Sequence, residues 1–342
     1  MTLRAGAIRF NTDLNQMEIH DGNQWTGILA TSPEQQTGGT RGVVMAGNNS
    51  SEPNGSNVMQ YTNISTTGNT VDFGNLSRKK YGTYGGISSR TRGLLVGGYF
   101  YNEPGGPGTY IDDMDAITIS ITGDSFDFGN LSQGNRSEPG ARSNETRGII
   151  FGGTGGPSPI VRTNTITYVT IAQLGNGVDF GDMTALYQNP TGAASQTRLV
   201  MGTGEAPSGS YNTLEYVTFA TTGNAQDFGT TAVTASYRNA CGNAVRGVVA
   251  AGYTPSTVNT IEFFTIATLG DATDFGDLTS TRGGTTAMSS PTRGVFAGGR
   301  TPSIVDTIDF VSIMTTGNAV AFGDLLDNIG NCGAVSNGHG GL

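Results

Sequence analysis

Polar and apolar positions along this chain repeat with a long period. A short apolar run led by arginine recurs at Arg41, Arg92, Arg147, Arg198, Arg246 and Arg293, with successive spacings of 51, 55, 51, 48 and 47 residues. A second marker, the phenylalanine of a Phe-Gly step, recurs at Phe73, Phe128, Phe180, Phe228, Phe275 and Phe322. Two independent markers therefore count six units, and repetition of this kind takes precedence over any local motif. Within a unit the pattern predicts four strands. The run after the arginine (VVMAG from Val43, IIFGG from Ile149, VFAGG from Val295) is β-branched or aromatic with no alternation, as in a strand buried on both faces. The next run alternates (TITYVTI from Thr165, TIDFVSI from Thr307), so its two faces differ. It ends in Gly-Asn at Gly68, Gly223 and Gly317, or Gly-Asp at Gly123 and Gly270. Glycine there supplies the positive φ of a tight hairpin. The third strand carries the Phe-Gly, and the fourth is rich in small residues that suit a crowded axis.

The first unit has no small-residue strand ahead of it. The chain beyond the last Phe-Gly supplies one, NCGAVS from Asn331. Pairing that segment with the first unit would close a ring and remove both open edges. The expected architecture is all-β: a six-bladed β-propeller over residues 38–342, closed by pairing of the N- and C-terminal segments. Residues 1–37 do not match the repeat and read as a small N-terminal β-hairpin attachment segment and linker. Alternation around two turn signals predicts strands at 7–11, 17–20 and 25–29, and TSPEQQTGG from Thr31 reads as the linker.

Composition narrows the picture without changing it. The 54 glycines fit many tight turns, and the net charge of −9 disfavours a nucleic-acid partner. No apolar window reaches the ~18 residues of a membrane span, and the N-terminus lacks a secretory apolar core. Cys241 and Cys332 fall on innermost strands with another blade between them, so two buried free thiols are expected.

Candidate chemistry concentrates in the loops that follow each glycine pair, which must share one face of the ring. The longest carries Tyr99, Phe100, Tyr101 and Tyr110, a candidate interaction loop for stacking on a sugar or docking a protein, or else a cover for its own blade edge. Asp112, Asp113 and Asp115 could crowd oxygens around Ca²⁺, but the spacing is not that of an EF-hand. Asp113 also shares its register with Asn57, Asn164, Asn212, Asn259 and Asp306, which points to turn capping. The recurring arginine and the recurring aspartate (Asp72, Asp127, Asp179, Asp227, Asp274) are expected to pair, or to cap backbone, inside each sheet. Glycoside hydrolysis needs two suitably spaced carboxylates, and Asp112, Asp115 and Glu103 form the one dense acidic group on the loop face. His20 and His339 have no nucleophile at motif spacing, and the tail NGHGGL is expected to fray. No catalytic, metal-binding or cofactor-binding residue is assigned, and an enzyme is not expected.

At this point the repeat resembles the kelch family. The likeness lies in the glycine pairs Gly152-Gly153 and Gly298-Gly299, and in Asn212-Thr213-Leu214-Glu215-Tyr216 and Asn259-Thr260-Ile261-Glu262-Phe263. It covers roughly residues 38 to 336, with phenylalanine where kelch units usually carry tryptophan, and it implies a kelch-like propeller without implying an activity. The N-terminal segment is similar to one found in bacteriophage tail-fibre and other virion proteins, matched by Gly6, Ile8, Arg9, Phe10, Asn11, Thr12, Glu18, Ile19, Asp21, Gly22 and Trp25, with His20 in place of the usual aromatic. That resemblance implies a virion structural protein assembled in the host cytoplasm, attached through residues such as Phe10 and Trp25. Its partners would be other tail or baseplate proteins, with a host-surface glycan or protein at the loops. The alternatives are a lectin-like propeller and, behind it, a glycan-degrading enzyme.

Overall fold

The computed structural model describes residues 4–11, 16–27, 39–49, 51–101, 108–131, 136–155 and 161–342, and among them every helix or strand element is a β-strand. Each repeat forms a four-stranded antiparallel ladder. The first is Gly333–Ser336, Arg41–Met45, Ser56–Asn63 and Val71–Lys80. The second is Gly86–Ser88, Arg92–Val96, Asp113–Thr118 and Phe126–Asn130. The third is Gly140–Ser143, Arg147–Phe151, Val161–Thr170 and Val178–Tyr187. The fourth is Thr191–Ala194, Arg198–Ala206, Gly209–Thr218 and Gln226–Thr230. The fifth is Asn239–Gly242, Arg246–Ala250, Ser256–Thr265 and Thr273–Arg282, and the sixth is Thr286–Ser289, Arg293–Ala297, Thr307–Ser312 and Val320–Asp324. The small-residue strand takes one edge of each ladder and the Phe-Gly strand the other. As the sequence led us to expect, the first ladder borrows its small-residue strand from the far end of the chain, with Gly333 opposite Met45 and Ser336 opposite Gly42.

The apolar core lies between neighbouring sheets. Val43 and Met45 pack with Leu95, Ile117 and Ile119 of the second sheet, whereas Val44 packs the other way, with Val295, Ile308 and Phe322 of the sixth. Successive side chains of a strand point to opposite faces, so a strand sandwiched between two sheets must be apolar at every position. That is why the Arg-led runs show no alternation. Each fully buried aliphatic side chain contributes about 1.5–3 kcal/mol through its removal from water.

The repeated motifs turn out to be fastenings between sheets. The amide N–H of the turn glycine donates to the carbonyl of the preceding sheet's Phe-Gly phenylalanine: Gly123 to Phe73 at 2.7 Å, Gly175 to Phe128 at 2.9 Å, Gly223 to Phe180 at 2.8 Å, and so on round to Gly68 and Phe322 at 2.9 Å. The Asn or Asp that follows completes the fastening. Asp124 Oδ1 accepts from Asn75 N at 2.9 Å, Asp271 Oδ1 from Thr230 N at 2.8 Å, and Asn69 Oδ1 from Asp324 N at 3.0 Å. The Phe-Gly glycine lies so close to the neighbouring turn that a Cβ at Gly74 would collide with the Gly123 carbonyl.

The arginine does not pair with the aspartate of the Phe-Gly motif, and the cap it makes is not within its own sheet. Its guanidinium reaches across to the next sheet's backbone: Arg41 to Ile119 O at 3.0 Å, Arg147 to Phe219 O at 2.5 Å, Arg246 to Ile313 O at 3.3 Å and Arg293 to Ile64 O at 3.2 Å. It also stacks on an aromatic ring of its own sheet, 4.3 Å from Tyr61 for Arg41 and 4.2 Å from Phe263 for Arg246. A flat cation with donors in its plane serves both partners at once. The aspartates Asp72, Asp127, Asp179, Asp227 and Asp274 are solvent-exposed, where an isolated ion pair would contribute little.

A further set of fastenings left no motif in the sequence. One buried position in the alternating strand is Gln60, Asp115, Glu215, Glu262 and Asp309 in five of the sheets, each opposite the residue that follows the repeat's arginine by three places. The partner comes from the preceding sheet's last strand or from the link that follows it: Lys80 for Asp115 at 2.5 Å and Arg282 for Asp309 at 2.5 Å from the strand, and Arg238 for Glu262 at 2.6 Å from the link, all six side chains being at most 2% exposed. Burial alone would raise the pKa of Asp115, but Lys80, Ser77 and Ser125 outweigh it and hold the carboxyl below its ordinary value. In the third sheet the position is Thr167, and the stretch 132–135 just before that sheet lies outside the described residues. The Asp112–Asp115 cluster is thereby dispersed. Asp113 pairs with Arg78 at 2.9 Å while Asp115 is buried against Lys80, and no group that could hold a metal ion is found among the described residues.

The C-terminal tail does not fray. Asn337 is 1% exposed and exchanges hydrogen bonds with the Arg41 backbone. His339 Nε2 lies 2.9 Å from Ser88 O, and Gly340 N donates to Gly242 O at 3.0 Å. Glycines at 340 and 341 let the chain press against the carbonyls of Asn243 and Ser143, where a Cβ would overlap. Here backbone hydrogen bonds hold a terminus that composition alone marks as loose. Burial pushes the His339 imidazole down to about 4, so it packs as a neutral ring. Cys241 and Cys332 are buried free thiols, as expected.

Candidate ligand-binding face

A residue just before each small-residue strand, two places ahead in five repeats and four in the second, is held in the left-handed region: Gly82 at φ 69°, Glu138 at 60°, Asn189 at 53°, Tyr237 at 56°, Gly284 at 69° and Asn331 at 56°. Their peptide groups hydrogen-bond one to the next. Asn189 N donates to Glu138 O at 3.2 Å, Glu138 N to Gly82 O at 2.6 Å, Gly82 N to Asn331 O at 2.9 Å, Asn331 N to Gly284 O at 3.1 Å and Gly284 N to Tyr237 O at 2.9 Å. The result is a collar at the end where the small-residue strands begin. Glycine and asparagine tolerate this conformation, whereas glutamate and tyrosine are held there at a cost of about 1–2 kcal/mol each. Non-glycine residues kept in this region by the surrounding structure cluster at ligand-binding sites.

A second set of repeated contacts lies next to the collar in sequence. Isolated antiparallel bridges join Asn48 to Gly330, Tyr99 to Tyr81, Glu205 to Gln188, Tyr253 to Ser236 and Arg300 to Gly283, and in the third sheet Thr154 pairs with Ser137. Asn48, Tyr99, Thr154, Glu205, Tyr253 and Arg300 each stand seven places after the repeat's arginine. They open the variable loops. The backbone plan therefore delivers six different side chains to equivalent places on one rim.

Between the fifth and sixth sheets the rim and collar enclose an open cavity of about 310 Å³, lined by Tyr237, Tyr253, Thr257, Arg300, Ile304 and Asn331. Tyr84 packs edge-on against Tyr237, centroids 6.1 Å apart, and its hydroxyl donates to Asn331 Oδ1. Asn331 Nδ2 donates in turn to Asn48 Oδ1 at 3.2 Å. Burial pushes the Glu138 carboxyl up to about 7, nearby Glu205 adds to the rise, and Arg162 and a hydrogen bond from Gln188 oppose it. Burial, then Glu138 and Glu205, push the Tyr237 phenol up to about 12. Below pH about 7 the Glu138 carboxyl is thus held mainly in its neutral form. The Asn189 amide lies beside the Tyr237 hydroxyl, yet neither of its atoms meets hydrogen-bond geometry with any group, and both are buried.

The aromatic loop singled out from sequence adjoins this face. Tyr99–Tyr101 and Gly108–Tyr110 pair antiparallel, with Tyr99 opposite Tyr110 and Phe100 opposite Thr109. Tyr81, Tyr99, Tyr101 and Tyr110 gather ring to ring, with centroids 5.6 Å apart for Tyr81–Tyr99 and 4.9 Å for Tyr99–Tyr110, while Phe100 turns to Arg78 at 5.3 Å. Glu103 lies outside the described residues. The N-terminal segment is a three-stranded meander, Ile8–Asn11, Gln16–His20 and Trp25–Gly27. Position 29, expected at the end of its third strand, is not described. Its faces differ in kind. Arg9 pairs with Glu18 at 2.8 Å and covers Trp25 at 4.2 Å, with His20 edge-on to the same ring at 5.2 Å. Ile8 opposite Ile19 and Phe10 opposite Met17 make the other face, and all four are exposed, Phe10 by 53%. The two residues expected to attach therefore stand on different faces, Phe10 open and Trp25 packed.

Sequence reading missed Glu138, Asn189, Tyr237, Asn331, Tyr84 and Arg300. A signal existed. Gly82 and Gly284 each stand nine places after the repeat's phenylalanine, as do Asn189, Tyr237 and Asn331, with Glu138 ten places after. A column that holds glycine in two repeats and larger polar side chains in four invites attention. Compared with known proteins, the chain matches no family model and no curated protein.

Proposed function

We propose that this chain is a six-bladed, kelch-like β-propeller that serves as a binding module on a bacteriophage virion, in the tail-fibre or baseplate region. The ring reading is supported by the last-to-first fastenings, Phe322 to Gly68, Asp324 to Asn69 and Arg293 to Ile64, which reproduce those at the other junctions. The observation that carries the binding reading is the collar and rim: identical backbone places, six different rim side chains and a cavity at one sector. The exposed apolar face of the N-terminal meander is the part that meets other virion proteins, because a single small sheet with one bare apolar face lacks a second layer to bury it. The collar face then presents its loops to a host-surface glycan or protein. This is a binding role and not a catalytic one. Two measurements test it. Purified particles should contain the chain, and the intact protein should adhere to host cells through the collar face, so that Tyr99→Ala with Tyr101→Ala or Tyr253→Ala weakens adhesion. Absence from particles removes the virion role. Adhesion indifferent to all three substitutions removes the collar face.

The lectin-like reading is favoured by one specific observation, the Tyr84–Tyr237 ring pair beside the hydrogen-bonded Asn331 and Asn48 amides, which suits the mixed apolar and polar surface of a sugar.

A further inference from the structure

The cavity between the fifth and sixth sheets has a chemistry that narrows its ligand. Arg300 is exposed on its wall, and among the described residues it takes part in no salt bridge. The other rim charge, Glu205, is already engaged by Arg162 at 2.8 Å. Arg300 therefore stands as a free guanidinium in a recess that contains no carboxylate. Tyr253, 50% exposed, and Tyr237, held by the left-handed collar, line the same recess, so two phenol rings share it with the cation. The Asn331 amide has committed its oxygen to Tyr84 and one N–H to Asn48, which leaves one N–H. Thr257, whose hydroxyl donates to Thr281 Oγ1 at 3.2 Å, keeps its oxygen as an acceptor, and Ile304, 9% exposed, adds an apolar surface.

We infer that this recess binds a saccharide residue that carries a carboxylate, of the uronic or sialic acid class. The guanidinium fork matches a carboxylate with two parallel charge-assisted hydrogen bonds. The tyrosine rings take the apolar face of the sugar ring, and the Asn331 N–H and Thr257 oxygen take its hydroxyls. The volume is at the lower end of that of small-ligand sites, which suits one sugar residue and excludes a folded protein segment. The free ring face of Tyr253 argues against a bare anion such as phosphate, which would have no use for it. The inference rests on the collar face being the binding face.

The test is calorimetric titration of the intact protein with a glucuronic-acid-containing disaccharide and with the corresponding disaccharide of neutral hexoses. The acidic sugar should bind, and more weakly as salt is raised. Arg300→Ala should lose at least about tenfold in affinity, the range expected for a hydrogen bond to a charged group, and Arg300→Lys should recover part of it. Tyr253→Ala should weaken binding at unchanged salt dependence. Arg300 is exposed, so these variants fold, and unchanged thermal unfolding verifies it. If the neutral disaccharide binds equally well and Arg300→Ala changes nothing while Tyr253→Ala still matters, the acidic specificity is overturned and the collar face stands. If neither sugar binds, the inference is overturned, and host-cell adhesion by the Tyr253→Ala variant decides separately whether the face is used at all.

Discussion

The small-residue strands have two ends, and the molecule treats them differently. At the end where they finish, the same small parts recur. Ser88 donates to Ser336 O at 2.9 Å, Ser143 to Ser88 O at 2.8 Å, Ser336 to Ser289 O at 2.8 Å and Ser289 to Gly242 O at 2.8 Å, and the C-terminal tail closes over them. At the end where they begin, the backbone recurs but the side chains do not, and the chain's strained tyrosine and glutamate sit there. Each junction between sheets must close with the same geometry, so positions that close it are held to one solution. Positions that only face outward from that frame are free to differ. A repeat protein thus separates its architecture from its specificity by end, within one strand.

The largest effect should come from breaking a fastening of the first kind. Arg282→Met leaves the Asp309 carboxylate buried without its cation, and urea titration should show a loss of about 3–5 kcal/mol. The same region in the third sheet offers the control: Thr167→Val should cost less than about 1 kcal/mol, because Thr167 Oγ1 has no hydrogen-bond partner among the described residues. The next effect concerns two glycines at one junction. A methyl at Gly276 would lie 2.5 Å from the Gly317 carbonyl oxygen, at φ +143°, whereas one at Gly317 meets nothing within 4 Å. Gly276→Ala should therefore destabilise by about 2–4 kcal/mol and Gly317→Ala by about 1 kcal/mol, the second through conformation alone.

At the collar the expected effect depends on pH. The native Glu138 carboxyl keeps its proton up to pH about 7, whereas the unfolded chain releases it near pH ~4.3. Between those values the native state holds more protons, so this group's contribution to stability falls as pH rises through the window and stays low above it. Glu138→Gln removes that slope. The variant should gain on the parent from pH 5 to pH 8, by roughly 1–3 kcal/mol at the upper end. A parallel pair of stability curves across that range would remove the raised carboxyl from the account. The smallest effect on stability belongs to the rim. Tyr253→Ala should shift unfolding by no more than about 0.5 kcal/mol while lowering ligand affinity, which separates the rim from the fastenings.

Much of the fold was legible because burial leaves a local mark. The Arg-led runs announced a strand covered on both faces, the alternating runs a strand with two environments, and the orphaned NCGAVS segment the pairing of Gly333–Ser336 with Arg41–Met45. The purpose of the motifs was not legible. Arg41 looked like a partner for Asp72, yet it caps Ile119 across the junction and Asp72 is left in water. The Gly-Asn or Gly-Asp step looked like a hairpin requirement, yet its glycine N–H and its Asn or Asp side-chain oxygen fasten a neighbour about one repeat away. The tail, polar and glycine-rich, looked loose because composition does not say that carbonyls of Asn243 and Ser143 await it.

The candidate site was legible only in part. Tyr99 and its neighbours stood out because aromatic residues in a long loop are conspicuous in any sequence. Glu138, Tyr237 and Asn331 did not, because a left-handed φ at a non-glycine residue is imposed by its surroundings and not encoded by its identity. By itself the sequence determined the period, the strand order within a repeat and the borrowed strand that joins the two ends, since those follow from which side chains leave water over short distances. Only the tertiary structure decided which side chains share a collar and which ions share a junction. Those partners are brought together by the stacking of sheets, over separations as long as the 296 residues from Arg41 to Asn337, and no local pattern of apolar and polar positions records a contact made at that range.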